Sequence, residues 1–481
     1  MKRFLVISMI LIVSLAMSYP TTIKVLISRE LSPWGSSKGY AFNHVEIVSN
    51  RYFKLVCGGE RIVPGGKKIV LEPEGDLVKV EGMGCKRAIL QPLSRRNLFE
   101  ISNAKRKLGK PKYPGKLIVS NQGGKLYVVN EVPIEEYVVR VVPSEMPSYF
   151  PKESLKAQAV LARSLAVLRA MKPISRFSRY GADVDDSIST QVYNNISFTD
   201  KVREAVKETQ GIVVFYEDEI VDTMVYFSTS SGFTANVEEV WSYGSKFPGR
   251  KIPYLRAQPQ FEGMDVPNLR DEAEADWFFR SWRWFFVKFY DSISPWFRWK
   301  VTLTREQLEN IMSKTIPQRE RADKILKADF VRVIEGMDPS DPNFSIGELL
   351  DLRVIRRGEG GNVMTLEIVG TNGRWQIDKE YNIRFVIRPR KDFAKSKEDI
   401  ILHLYNGKVI KNYSILPSAF FTMDIERDKD GRIETVTFYG GGNGHGVGMS
   451  QYGARYLGEI GWNYDEIVKK FYHGVKLKKI Y

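Results

Sequence analysis

A chain of 481 residues is too long for one average hydrophobic core and predicts two or three domains. With 43% hydrophobic and 27% charged residues it has the composition of a folded protein, which excludes a largely disordered chain. A formal charge of +15 predicts attraction to an anionic partner, with a merely cationic soluble surface as the plain alternative.

At the N-terminus, Met1, Lys2 and Arg3 precede an apolar run from Phe4 to Met17, with small residues at Ala16 and Ser18. This is the pattern of an export signal, and it predicts loss of residues 1–18. An uncleaved anchor is the alternative, because the run is nearly long enough to cross a bilayer. The remainder is expected outside the cytoplasmic membrane, in the periplasm or cell wall. That disfavours a nucleic-acid partner, and membrane association is expected only if the leader is kept.

Residues 19–104 alternate short β-like runs (22–27, 45–48 and 53–56) with glycine turns at 58–59 and 65–66, and predict a small β-rich domain. It carries no acid pair and no cluster of metal ligands. Cys57 and Cys85 are the only cysteines; in an oxidising compartment they pair, and otherwise they remain two buried thiols. The stretch 105–115 is basic and rich in Pro and Gly, and reads as a linker. The larger remainder, 116–481, mixes both periodicities, so the expected class is α+β.

Within it, strands are expected at 116–119 and 126–129. Glu145 then stands between Pro143 and Pro147, followed by Pro151, which suits the first turn of a helix. From Glu153 to Met171 there is no Gly or Pro, and apolar residues cover most of the circumference, which predicts a buried helix. Lys156 and Arg163 are the exceptions on that helix and require partners, for which Glu145 is a candidate. A short helix over 199–209 should stop at Gly211, ahead of a hairpin of 212–216 with 220–227.

The hydroxyl-rich run from Ser228 through Ser230 to Thr234 lacks the surroundings of a nucleophilic serine. Residues 277–299 are crowded with aromatics, among them Trp277, Phe278, Trp284, Phe285, Phe286 and Trp299. Their spacing covers every face of a helix and favours packing, with sugar stacking or a membrane interface as alternatives. Residues 301–415 read as scaffold, with a helix at 306–313 and strands at 352–355, 363–369 and 382–387. Near the C-terminus, glycines from Gly440 to Gly448 surround His445 and allow close backbone approach, and Asn463 with Glu466 forms a capping box for a last helix.

Two stretches carry a family resemblance. Ser144-Glu145-Met146-Pro147 with Leu155-Lys156-Ala157-Gln158-Ala159-Val160 and Ala162-Arg163 resembles the signature of the SpoIID/LytB family. Gly444-His445-Gly446-Val447-Gly448-Met449-Ser450-Gln451-Tyr452-Gly453-Ala454 stands in the expected order near the end. The resemblance implies lytic cleavage of peptidoglycan glycan strands, with Glu145 as general acid and no cofactor. It further implies Ser228, Ser230, His445, Gln451 and Tyr452 as glycan contacts. Lys156, Arg163 and the linker would read the free lactyl carboxylates of peptide-stripped strands. Other members are described as enhancers of an N-acetylmuramoyl-L-alanine amidase, so a non-catalytic wall-binding partner of such an amidase is the alternative. Some members hold zinc with a Cys-x4-Cys pair and a His before Gln-Val-Tyr. Here Asp185, Thr190 and Ser189 occupy those places, which predicts no zinc, although Asp183, Asp185 and Asp186 leave weak binding of a hard cation open.

Overall fold

The computed structural model describes residues 19–481 except 33–34, 108, 196 and 283–286. The expected leader and the aromatics Trp284, Phe285 and Phe286 therefore lie outside the described residues. No described helix is long and apolar enough to cross a membrane.

Alternating apolar residues build two sheets from the first third of the chain. A seven-stranded sheet runs in the order Val184–Asp185, Thr22–Leu26, Lys125–Pro133, Lys116–Gln122, Arg87–Pro92, Phe53–Val56 and Glu60–Val63. A six-stranded sheet runs from Lys112–Tyr113 through Phe99–Ile101, Val45–Ser49, Lys68–Glu74 and Leu77–Val80 to Met83–Cys85. The fold is α+β. Thr22–Leu26 pairs with Lys125–Pro133 across more than a hundred residues, so the N-terminal strands and those preceding Glu145 share one sheet. Cys57 and Cys85 form a disulfide. By loop closure alone it contributes on the order of 3 kcal/mol.

The segment 105–115 departs from the linker expectation. Tyr113 is fully buried, and Arg106 forms a buried ion pair with Asp186 at 2.6 Å, because a guanidinium enclosed by protein must find a carboxylate. Its charge is thereby spent inside the fold.

Lys125–Pro133 runs straight into helix α1, Ile134–Glu145, and helix α2 follows at Lys152–Met171 with Pro151 at its N-cap. Fourteen residues of α2 are buried. It packs on α1, on Asp200–Glu208, on Ile212–Tyr216 and on the two C-terminal helices Gln451–Glu459 and Tyr464–Phe471. The approach of Gln451–Glu459 is close: a Cβ at Gly458 would lie 2.6 Å from Ser154 Oγ and 3.0 Å from Pro151 Cβ, so only glycine fits.

One hydrophobic core extends from Ile23 to Val475 and includes α1 and α2. A second, from Trp299 to Phe438, is enclosed by a five-stranded and a four-stranded sheet and the helix Arg305–Leu326. Two local expectations change here. Residues 380–386 are helical, not extended: Arg384 pairs with Glu380 one turn back, and Ile383, Val386 and Ile387 fall on one buried face. The 212–216 strand pairs with Glu219–Ile220 on one edge and with Val475–Lys479 on the other, while Tyr226–Phe227 leaves the hairpin and runs parallel to Met449–Ser450. In the aromatic segment Phe278, Phe279, Phe289, Phe297 and Trp299 are core residues, whereas Trp277 is half exposed.

Candidate active site

Glu145 precedes α2 as the last residue of α1, and Met146 N–H closes α1 on the Val142 carbonyl at 2.8 Å. Pro143 removes one donor from this last turn, and Ser144 Oγ compensates by donating to the Arg140 carbonyl at 2.8 Å. The carboxyl thus meets the negative end of the helix dipole, which disfavours its anion.

Its partners come from two distant parts of the chain. Val192 N–H donates to Glu145 Oε1 at 2.5 Å, and the Tyr226 hydroxyl faces the same carboxyl. Tyr226 O–H donates to Gln191 Oε1 at 3.1 Å. Burial pushes the Glu145 carboxyl up to about 7, against the opposing pull of Val192 N–H and Tyr226. The same burial, with the Glu145 charge nearby, pushes the Tyr226 phenol well above its ordinary value.

The parallel pairing of Tyr226–Phe227 with Met449–Ser450 carries the glycine-rich motif to this place. Gly448 makes it possible, since a Cβ there would lie 2.2 Å from the Val225 carbonyl oxygen at a φ of +76°. His445 accepts Val447 N–H at Nδ1 (3.1 Å), so its Nε2 carries the hydrogen and donates to the Tyr226 carbonyl, also at 3.1 Å. Burial and the Arg384 charge lower the imidazole to about 3, so it stays neutral. Trp241 and Phe227 flank the ring. Gln451 lies 3.5 Å from Gln158, and Gln158 in turn faces the Tyr226 hydroxyl. Tyr452 is partly exposed, with its N–H on the Ser228 carbonyl and its ring edge-on to Phe150.

Residues 122–216 match the family model described as stage II sporulation protein, SpoIID. Over 364 residues the chain is 27% identical to stage II sporulation protein D of Bacillus amyloliquefaciens, covering 73% of this chain and 76% of that protein. The Bacillus subtilis protein of the same name is 26% identical over the same shares. The amidase enhancer of Bacillus subtilis is 24% identical over 70% of this chain and 39% of its own length. The chain is thus similar to proteins of the SpoIID/LytB family.

Three residues of the SpoIID/LytB pattern are engaged inside the fold. Arg163 is fully buried and binds Glu135 through Nε and Nη2 at 2.7 and 2.8 Å, and it also donates to the Val206 and Ile212 carbonyls. Lys156 bridges Glu153 and Glu208, each at 2.7 Å. Neither cation pairs with Glu145, so neither lowers its pKa. Ser230 is buried, with its Oγ and N–H on Asp291, an acid that also takes the Ser450 hydroxyl. Burial pushes that acid up to about 6 in spite of these donors. The Arg163, Lys156 and Ser230 side chains therefore hold the site together from behind, whereas Ser228 remains partly exposed beside Thr229.

Tyr226, Gln191 and the Val192 N–H were not foreseen as site groups. Gln191 and Val192 were signalled by the Gln-Val-Tyr run that marks the family's zinc region. Nothing local to Tyr226 marks it.

The raised carboxyl has a consequence for stability. The folded pKa lies above the ordinary 4.5 of an unfolded chain, so the folded state holds a proton that the unfolded state has lost. Stability is unaffected below about pH 4.5, falls as pH rises towards 7, and carries the full cost above that. Glu145→Gln removes the cost. Its melting temperature should exceed the parent's at pH 8, with a gain of about 1–3 kcal/mol after allowance for partial exposure, and equal it at pH 4. Equal melting curves at both pH values would contradict the raised pKa.

Proposed function

We propose that this protein is a peptidoglycan lytic transglycosylase acting on peptide-stripped glycan strands, with Glu145 as its single acid. The observation that carries the reading is the carboxyl pushed up to about 7 where the two family motifs meet, which leaves a large share protonated near neutral pH.

A hydrolase of the usual kind needs two carboxylates. A lytic enzyme needs one. Glu145 gives its proton to the glycosidic oxygen as the bond to the anomeric carbon breaks. The sugar's own C6 hydroxyl then attacks that carbon and returns its proton to the carboxylate. The products are a free 4-hydroxyl and a 1,6-anhydro-muramic end, and no water is consumed. A carboxyl poised near 7 serves both halves, as acid and then as base. Tyr226 suits the exchange, because its hydroxyl turns its hydrogen towards the carboxylate once the proton has gone.

The name of the amidase enhancer relative favours a second reading, a wall-binding partner of an amidase with no chemistry of its own. An exported protein at the cell wall fits both readings, and so does the disulfide, which requires an oxidising compartment. Purified protein incubated alone with peptide-stripped strands separates them. Soluble fragments with anhydro ends are expected; no fragments, with a faster rate for an added amidase, would establish the enhancer.

A further inference from the structure

A cavity of about 400 Å³ opens on the far side of the loop that holds Glu145. That volume is ample for a sugar unit, since ligand sites span roughly 300–1,000 Å³. Val192, whose N–H holds Glu145, lies against Gly35: a Cβ there would meet the valine methyl at 2.8 Å. The Gly35 carbonyl in turn accepts Ile188 N–H at 3.0 Å. Ser36 and Ser37 on one strand of this contact, and Ile188 and Ser189 on the other, form the cavity rim.

The polarity of one wall is fixed from beneath. Asp185 is fully buried, and its two oxygens accept four hydroxyls: Tyr40 and Ser187 at one, Ser189 and Thr190 at the other, between 2.5 and 2.8 Å. Tyr40 and Ser189 line the cavity with their hydrogens held by Asp185, so towards a ligand their oxygens can only accept, whereas Ser187 is buried and takes Ser189 N–H. Such a wall accepts hydrogen bonds from sugar hydroxyls or an acetamido N–H.

The lining is also cationic. Arg176 and Arg179 line the cavity and are exposed, and each guanidinium lies over the ring of its own neighbour, Phe177 at 4.7 Å and Tyr180 at 4.6 Å. No ion pair to either arginine occurs among the described residues. This contrasts with Arg163, Lys156 and Arg106, whose charges are spent on Glu135, Glu153, Glu208 and Asp186. A guanidinium stacked and oriented in this way suits a carboxylate.

We propose that this cavity is a distal subsite for the glycan strand, taking an acetamido sugar that bears a free carboxylate, with Arg176 and Arg179 on the carboxylate and Tyr40 and Ser189 on the sugar. The proposal rests on the glycan-strand reading above, and its test is arranged to fail separately.

Binding is measured by calorimetry in a Glu145→Gln background, where strands are not cut, so that absence of cleavage by the parent leaves the result readable. The probes are peptide-stripped glycan oligomers and chitin oligomers of equal length, which lack the lactyl carboxylate. Arg176→Gln with Arg179→Gln should weaken the carboxylated oligomer about tenfold or more and leave chitin binding unchanged. Arg176→Lys with Arg179→Lys should restore part of the loss. The preference should shrink with added salt. An equal loss on both oligomers, no loss on either, or no preference for the carboxylated oligomer before substitution would overturn the subsite.

Discussion

Glu145→Gln is expected to lower glycan cleavage by about 10²–10⁴-fold, because the amide keeps the size of the side chain and cannot deliver a proton. The loss should fall on turnover. Val192 N–H still has an oxygen to bind, Tyr226 still has Gln191, and the cavity beyond the loop is untouched, so affinity for the strands should persist. The parent's rate should decline as pH rises through about 7, where the acid loses its proton, and this falling limb should be absent from the residual rate of the variant. Cleavage by the variant at the parent's rate would remove Glu145 from the chemistry.

Arg163→Ala is expected to cost about 3–5 kcal/mol of stability, since it leaves Glu135 without its cation and takes one donor each from the Ile212 and Val206 carbonyls, of which Val206 keeps Thr209 Oγ1. Glu135 retains Gly211 N–H and Tyr481 O–H, which places the loss towards the lower end of that range. Denaturant unfolding at neutral pH reads this directly. An unchanged midpoint combined with weaker glycan binding would return Arg163 to the role of substrate contact.

These two residues show how far the sequence reaches. Pro143, Pro147 and Pro151 mark Glu145 as a fixed carboxyl, and the Ala- and Leu-rich run after it marks α2, because both signals are local. The direction of the pKa shift is not local. It depends on Lys156 and Arg163 turning to Glu208 and Glu135, and on the burial of Glu145 by distant parts of the chain, whose Val192 N–H and Tyr226 hydroxyl pull the other way. The Val-rich stretch of α1 carries strand-like residues, and packing against α2 overrides that preference. Likewise Tyr226 reads as part of a hairpin, and only its pairing with Met449 shows that the two motifs form one site. The basic segment 105–115 looks like a linker by composition, yet Arg106 and Tyr113 are buried through contacts with Asp186 and its surroundings, far along the chain.

The central claim is that one carboxyl cleaves the strand with the sugar's own hydroxyl as nucleophile. Digestion of peptide-stripped strands in water enriched in oxygen-18, followed by mass spectrometry of the new ends, tests it most directly. The account predicts 1,6-anhydro ends with no added oxygen-18 at any reaction time. Reducing ends carrying one oxygen-18 atom would show water as the nucleophile and contradict it.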